Sequence, residues 1–317
     1  MNPQVSIIIP NYNRARLIGE TLDSIINQTF TNWECLVVDD GSTDDSKTVV
    51  ENYSAKDERI KFYNRPKDLP KGANACRNYG LIKSQGQYVN WIDSDDIFHP
   101  SKLEKQLQKL IQNKSLYTIC KSYVFEDNIT NLIGLKSDRI DSEDPFNDFI
   151  SKRIIIPIQG PIFQKQFLID NQFRFDETLQ AGQEWEFFAR ILHKYPNYDV
   201  VDEPLDYIRS HSENISNSSE NNKYWHYYQA RKKLEAKLGA QLSPESKDIL
   251  NRFYLFIFKY FIRDKKRYNA WKVWFESLIK IKKLSINDHM YLFLGSVLNT
   301  IFNKGDGLLS KVSLYNK

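Results

Sequence analysis

Tyr88-Val89-Asn90-Trp91-Ile92-Asp93-Ser94-Asp95-Asp96 is a short apolar strand pattern that runs directly into three carboxylates. Such a run builds a buried strand and leaves acidic oxygens at its carboxyl end, the rim at which open α/β sheets take their ligands. Asp93 and Asp95, one residue apart, suit a divalent metal that holds a diphosphate. Hard cations take oxygen ligands and commonly share them with phosphates. An acidic turn, or a helix N-cap ahead of Pro100, uses the same residue types and stands beside that reading.

Upstream, the strand pattern recurs three times. Val5-Ser6-Ile7-Ile8-Ile9-Pro10 reads as a buried strand stopped by proline, and Arg16 to Asn27 has helical spacing through Leu17, Leu22, Ile25 and Ile26. Trp33 to Val38 is the second strand, and Asp39-Asp40-Gly41-Ser42-Thr43-Asp44 is a turn offering N-caps to a helix that runs to about Tyr53. Ile60 to Tyr63 is the third, followed by a helix over Ala73 to Ser84 whose end is marked near Gly86. Continuous rather than alternating apolar strands predict an α/β fold, a Rossmann-like, mostly parallel sheet with helices on both faces. The strand ends after Ile9, Val38 and Ile92 then share one rim, each followed by polar residues able to touch a nucleotide.

Downstream, Lys102 to Gln112 continues as a helix, and residues 117 to 175 read as short strand-like pieces and turns, including Ile154-Ile155-Ile156-Pro157 and Gly160-Pro161. Gln183 to Tyr195 has helical spacing through Trp185, Phe187, Phe188, Ile191 and Leu192 and ends before Pro196. Asn217-Ser218-Ser219-Glu220-Asn221-Asn222 is a polar linker, which divides the chain into a domain over 1–215 and a helical region over 216–317. Three or four helical patterns rich in aromatic and basic residues follow from Lys223.

A chain of 317 residues with 41% hydrophobic and 26% charged residues has the composition of a soluble globular protein of about two domains. Cys35, Cys76 and Cys120 stand too far apart for a metal knuckle or redox pair. The total charge of +4 hides an asymmetry: residues 1 to 215 carry 25 Lys+Arg against 32 Asp+Glu, and residues 216 to 317 carry 19 against 8. In the basic region Phe253, Phe256, Phe258, Tyr260 and Phe261 stand beside Lys259, Lys265, Lys266 and Arg267. That pattern reads either as an interfacial surface for anionic lipid or as ordinary helix packing with a solvated basic face. No nucleic-acid motif accompanies the charge, so no nucleic-acid partner is expected. The apolar runs near Leu250 to Ile262 and Met290 to Phe302 are shorter than a membrane span requires, and Met1-Asn2-Pro3-Gln4 enters a strand without a basic and apolar leader. A cytoplasmic location, with peripheral contact at the inner face of the plasma membrane, is the expectation.

Four pieces stand in a recognisable order: Ser-Ile-Ile-Ile-Pro-Asn-Tyr-Asn-Arg (6–14), Val-Val-Asp-Asp-Gly-Ser-Thr-Asp (37–44), Gly-Ala-Asn-Ala-Cys-Arg-Asn (72–78) and Ile-Asp-Ser-Asp-Asp (92–96). Together they resemble the nucleotide-sugar half of the glycosyltransferase family 2 enzymes, and the resemblance covers about residues 4 to 215. It implies a GT-A fold, a nucleoside-diphosphate sugar donor, UDP for preference, a divalent metal, Mn²⁺ or Mg²⁺, and an inverting hexosyl transfer. The acceptor would be a saccharide or a lipid-linked saccharide in bacterial surface polysaccharide synthesis.

Carried over by residue, the resemblance sets Pro10, Tyr12, Asn13 and Arg14 around the nucleoside, with Asp40 accepting from the base. Turn chemistry is the other use of Asp39 and Asp40. Arg77 and Asn78 would approach base, ribose or phosphate, although a helical arginine serves equally as a surface cation. Asp93 would be the nucleotide-side carboxylate, Ser94 its neighbour and Asp95 the metal ligand, with Asp96 bracing the loop. Gly182-Gln183-Glu184-Trp185-Glu186-Phe187 resembles the family's acidic motif, with Glu184 where Asp is usual. Glu184 is thereby the expected general base, its pKa raised by burial beside Trp185; a first-turn acid complementing the helix dipole is the alternative. Tyr207 to Ser216 resembles the closing segment, which brings His211 to the metal or diphosphate and leaves Arg209 as another phosphate contact. A non-catalytic nucleotide-sugar-binding module and a nucleotidyltransferase are the rival readings.

Overall fold

A computed structural model describes residues 2–210 and 223–315. The chain divides into two compact units, residues 1–220 and 221–317. The expected domain boundary after Ile215 and the linker from Asn217 to Asn222 lie outside the described residues.

The first unit opens with β1 (Val5–Asn11), α1 (Ile18–Ile26), β2 (Trp33–Asp39), α2 (Ser46–Ser54), β3 (Ile60–Asn64), α3 (Ala73–Lys83) and β4 (Tyr88–Trp91). These strands pair in parallel in the order β3-β2-β1-β4. The largely apolar sequences of β1, β2 and β4 follow from that placement: all three are buried along their whole length, as strands covered on both faces must be. Gly86, between α3 and β4, sits against the start of β1. A Cβ there would stand 2.6 Å from the backbone nitrogen of Ser6, and the Gly86 N–H donates to Ser6 Oγ at 2.8 Å. Gly86→Ala is expected to cost about 1–3 kcal/mol, read as a lower denaturant midpoint at unchanged slope.

Beyond β4 the sheet becomes mixed. β5 (Ile97–Phe98), α4 (Lys102–Asn113), β6 (Tyr117–Glu126), β7 (Leu132–Leu135), α5 (Pro145–Ile150), β8 (Pro161–Gln164), α6 (Lys165–Asp170), α7 (Gln183–Lys194) and β9 (Asp199–Ser210) complete the unit. The order continues β4-β8-β6-β9-β5, with β8 antiparallel to both neighbours and β7 hairpinned on β6. Two readings of this segment are corrected. Ile154 to Pro157 is irregular rather than strand-like, and the short helices α5 and α6 are additions, because their six residues are too few to display a period.

An aromatic cluster anchors α7 to β4. Phe187 stacks on Phe175 at 4.1 Å and meets Trp91 edge-on at 5.7 Å, while Trp91 also touches Phe163 at 6.0 Å. Trp91 and Phe187 are wholly buried. The carboxyl end of β4 and the first turn of α7 are therefore held by one core.

Among the described residues the second unit has five α-helices: α8 (Lys223–Leu238), α9 (Pro244–Arg263), α10 (Arg267–Glu276), α11 (Ile286–Phe302) and α12 (Asp306–Ser310). Of the aromatic run on α9, Phe258 and Phe261 are core, as helix packing requires, and Phe256 is 52% exposed. No helix among the described residues is long and apolar enough to cross a membrane.

Candidate active site

The loops after β1, β2 and β4 meet at one rim, joined by short polar contacts. After β1, Asn13 adopts φ 50°, its N–H donates to Ser42 Oγ at 2.9 Å and its Oδ1 accepts from the Thr43 N–H at 2.8 Å. Asn13, expected beside the nucleoside, thus clips the first loop to the second. Pro10 is buried in β1, paired with Val38. Tyr12 is 42% exposed, with Lys71 Nζ 4.2 Å over its ring. Of the four residues expected around the nucleoside, Tyr12 is the one with an exposed aromatic face.

After β2 the two aspartates divide the work. Asp39 takes the turn role, accepting from the Gly41 and Ser42 N–H groups and from Asn11 Nδ2. Asp40 is buried and accepts from Arg65 Nε at 2.5 Å, while Arg65 Nη1 donates to the carbonyls of Pro66 and Leu69. Arg65 and Lys71 were not singled out from sequence. Their signal was position, since both lie in the polar loop after β3, where strand-end loops carry ligand contacts.

Arg77 is no surface cation. It is 2% exposed on α3, its Nη2 lies 2.6 Å from Asp93 Oδ1 and 3.6 Å from Glu184 Oε1, and its Nε is buried with no hydrogen-bond partner. Asn78, one residue on and expected near base, ribose or phosphate, spends its amide on the protein. Its Nδ2 donates to the Phe175 carbonyl and Glu177 Oε1, and its Oδ1 accepts from the Phe175 N–H, so it braces the segment that leads to α7.

Asp93 to Asp96 closes a turn through an Asp96 N–H to Asp93 carbonyl bond of 3.2 Å, with Ser94 buried inside it. Asp95 Oδ2 stands 3.4 Å from Arg14 Nε, joining the loop after β4 to the loop after β1. Asp96 is buried and accepts from the Arg209 N–H at 2.8 Å and Gln159 Nε2 at 2.9 Å. Burial, with the negative Asp95 and Asp93 beside it, holds its carboxyl well above the usual range. Arg209, expected as an alternative phosphate contact, is 6% exposed and donates to Glu20 Oε2 and to the carbonyls of Asp95 and Asp127. It braces the acidic loop. His211 lies outside the described residues.

Glu184 opens α7, whose N-cap Gly182 has φ 74°, a left-handed conformation that favours glycine. Its side chain is 33% exposed. Removal from water pushes its carboxyl up from an ordinary 4.5 to about 7, Arg77 and Lys136 pulling down and Asp93 pushing up. Lys136, which follows β7, is a further cation at the site that was not singled out from sequence. Glu186 faces the other way and pairs with Arg190 at 2.8 Å.

Among the described residues no three His, Cys, Asp or Glu side chains converge to hold a cation by themselves. The Asp93 and Asp95 side chains at the rim nonetheless offer oxygen donors only, and beyond its burial both push the neighbouring Asp96 carboxyl up. Such residues fit a hard divalent cation that completes its coordination with phosphates.

Known proteins resemble this chain in sequence and fold. An uncharacterised glycosyltransferase of Haemophilus influenzae is 41% identical over 133 residues, covering 42% of this chain and 52% of that protein. The chain therefore spans about half the length of that relative. A putative colanic acid biosynthesis glycosyl transferase, WcaA of Escherichia coli, is 27% identical over 250 residues, covering 73% and 82%. Among solved structures, TarS of S. aureus in complex with UDP-GlcNAc superposes with a TM-score of 0.66 over 96% of this chain and 83% of that one, at 21% identity. That likeness is one of GT-A fold. Residues 6–166, half of the chain, match the family described as glycosyl transferase family 2, and the protein belongs to that family.

Proposed function

We propose that the first unit transfers a sugar from a nucleoside-diphosphate sugar, with UDP as the nucleotide, to a hydroxyl of a saccharide or lipid-linked saccharide, inverting the anomeric carbon. The observation that carries this reading is the convergence of Asp93 and Glu184 on one buried guanidinium, Arg77, with contacts of 2.6 and 3.6 Å. Arg77 thereby links the carboxylate loop to the partly exposed acid at the start of α7.

In the proposed single displacement, Glu184 takes the proton of the acceptor hydroxyl as that oxygen bonds to the anomeric carbon. The bond from that carbon to the diphosphate breaks, and its electron pair leaves with the nucleotide. Tyr12 supplies a face for the base, and Asp40, held by Arg65, an acceptor for its N–H. Asp95, with His211, would hold Mn²⁺ or Mg²⁺, which when bound supplies charge neutralisation to the departing diphosphate. Arg14, beside Asp95, adds a cation at the same position. The UDP-GlcNAc in TarS supports the donor class, and the name of the colanic acid relative supports a polysaccharide acceptor.

Thermal melting with Mn²⁺ against a panel of nucleotides and UDP-sugars tests this reading. A donor at a hundred times its Kd adds about 2.7 kcal/mol, a rise of several degrees. The expected result is a metal-dependent rise with a uridine-diphosphate sugar that Asp95→Ala loses. No rise with any nucleotide would overturn the reading, and release of pyrophosphate instead of UDP during turnover would identify a nucleotidyltransferase.

A further inference from the structure

The second unit carries a helix that is inside out for water. α11 has one carboxylate and no lysine or arginine among its 17 residues. Its buried side is Asp288, Leu292, Gly295, Ser296 and Asn299, with one large apolar side chain among them. Met290, Phe293, Leu294 and Ile301 meanwhile stand between 42% and 62% exposed. A helix packed for solvent shows the opposite distribution, apolar stripe inward and polar face outward. The neighbouring α10 buries Ala270, Val273 and Trp274 and also leaves large rings outside, Tyr268 and Phe275 at 78% and 63% exposed.

These two exposed stripes form one surface. α10 and α11 lie side by side, tied by Arg267 Nη2 to the Thr300 carbonyl at 2.9 Å and by the ring pairs Trp271 with Phe293 at 5.8 Å and Trp274 with His289 at 5.5 Å. Trp271 also meets Phe275, at 6.3 Å, so Phe275 and Phe293 flank a single indole. Single exposed apolar side chains are ordinary, whereas a contiguous patch of this kind marks a face that binds.

Charge and side-chain type select the occupant. Residues 216 to 317 carry 19 Lys+Arg against 8 Asp+Glu. Exposed basic side chains stand at both ends of the helix pair, Arg267 with Lys304 at one and Lys280 with Lys282 at the other. A saccharide would use the aromatic rings but finds no polar partner on Met290, Leu294 or Ile301. Aromatic and aliphatic side chains flanked by cations match the boundary of an anionic bilayer, where the apolar groups enter the acyl edge and each cation near the surface adds attraction.

We propose that the α10 and α11 face docks on an anionic lipid surface, with Phe275 and Phe293 entering the headgroup boundary and the flanking lysines and arginines meeting lipid phosphate. This inference stands apart from the reading of the nucleotide site, since it uses no residue of the first unit.

Co-sedimentation of the full chain with vesicles of phosphatidylcholine, with and without phosphatidylglycerol, tests it without any sugar donor. The protein is expected to sediment with the phosphatidylglycerol vesicles, less as salt is raised, and Phe275→Ser with Phe293→Ser should weaken binding by roughly tenfold or more. Because both rings are at least about half exposed, the double variant should stay folded, with a cooperative melt that a melting profile checks. No sedimentation with phosphatidylglycerol vesicles at low salt, or sedimentation that the double variant leaves unchanged, would overturn the proposal. A concentration-dependent dimer dissolved by the double variant, without vesicle binding, would overturn it in favour of a second copy of the chain.

Discussion

Glu184→Gln is expected to lower the rate of sugar transfer by roughly a hundred- to ten-thousand-fold while leaving the donor-induced rise in melting temperature in place. The amide keeps the length and shape of the side chain beside Arg77 but cannot accept the proton of the acceptor hydroxyl. The pH profile carries the same argument. Partial removal from water holds the Glu184 carboxyl at about 7, so below that value it carries a proton and is no base. The wild-type rate should therefore climb about tenfold per pH unit up to neutrality and level off above it, and the residual rate of the variant should lose that rise.

Stability should move the other way. A carboxyl whose folded value lies above its ordinary 4.5 disfavours the charged form in the fold, so stability is lost as pH rises from that value through about 7. Glu184→Gln should accordingly melt higher than wild type above neutral pH and no higher at pH 4, the trade expected where a site is built for reaction rather than for folding. Equal turnover by wild type and variant would remove Glu184 from the mechanism.

Asp206→Asn is expected to be the most destabilising of the substitutions considered, at about 3–5 kcal/mol. Lys102 and Asp206 are both wholly buried, with Nζ 3.1 Å from Oδ2, and Lys102 Nζ also meets Gln106 Oε1 at 2.9 Å and Cys120 Sγ at 3.1 Å. Burial works against the Lys102 ammonium, but its contacts with Cys120 Sγ and Asp206 raise its pKa overall, which keeps it protonated. Neutralising Asp206 strands that cation away from water. Lys102→Met combined with Asp206→Leu removes both charges and should recover most of the loss, because a buried ion pair gains little over well-packed apolar groups of similar size. Chemical denaturation of the two variants reads the contrast directly. Equal losses in both would mean that shape, not charge, decides this part of the core.

Much of this site was legible in the chain. Ser6 to Arg14, Val37 to Asp44 and Ile92 to Asp96 are each an apolar run that ends in polar residues, and a buried strand followed by a loop is a local pattern that needs no knowledge of its neighbours. The four-strand parallel core and the position of Glu184 at the start of a helix followed from such patterns. Asn13, Arg77 and Asn78 did not yield their roles in the same way, since an amide or a guanidinium serves equally as a ligand contact, a brace or a surface group. What decides among these is the partner, and Asn78 finds its partners at Phe175 and Glu177, 97 and 99 residues away.

The sequence by itself determined the family, the parallel half of the sheet and the identity of the carboxylates at its rim, because composition and period act over a few residues at a time. Tertiary structure alone decided that Arg77 is buried between Asp93 and Glu184, that Asn13 clips two loops together and Asn78 braces the segment before α7, that Lys102 faces Asp206, and that α11 turns apolar side chains outward. Each of these is a property of distance and burial, and both are set only when segments far apart in the chain are packed together.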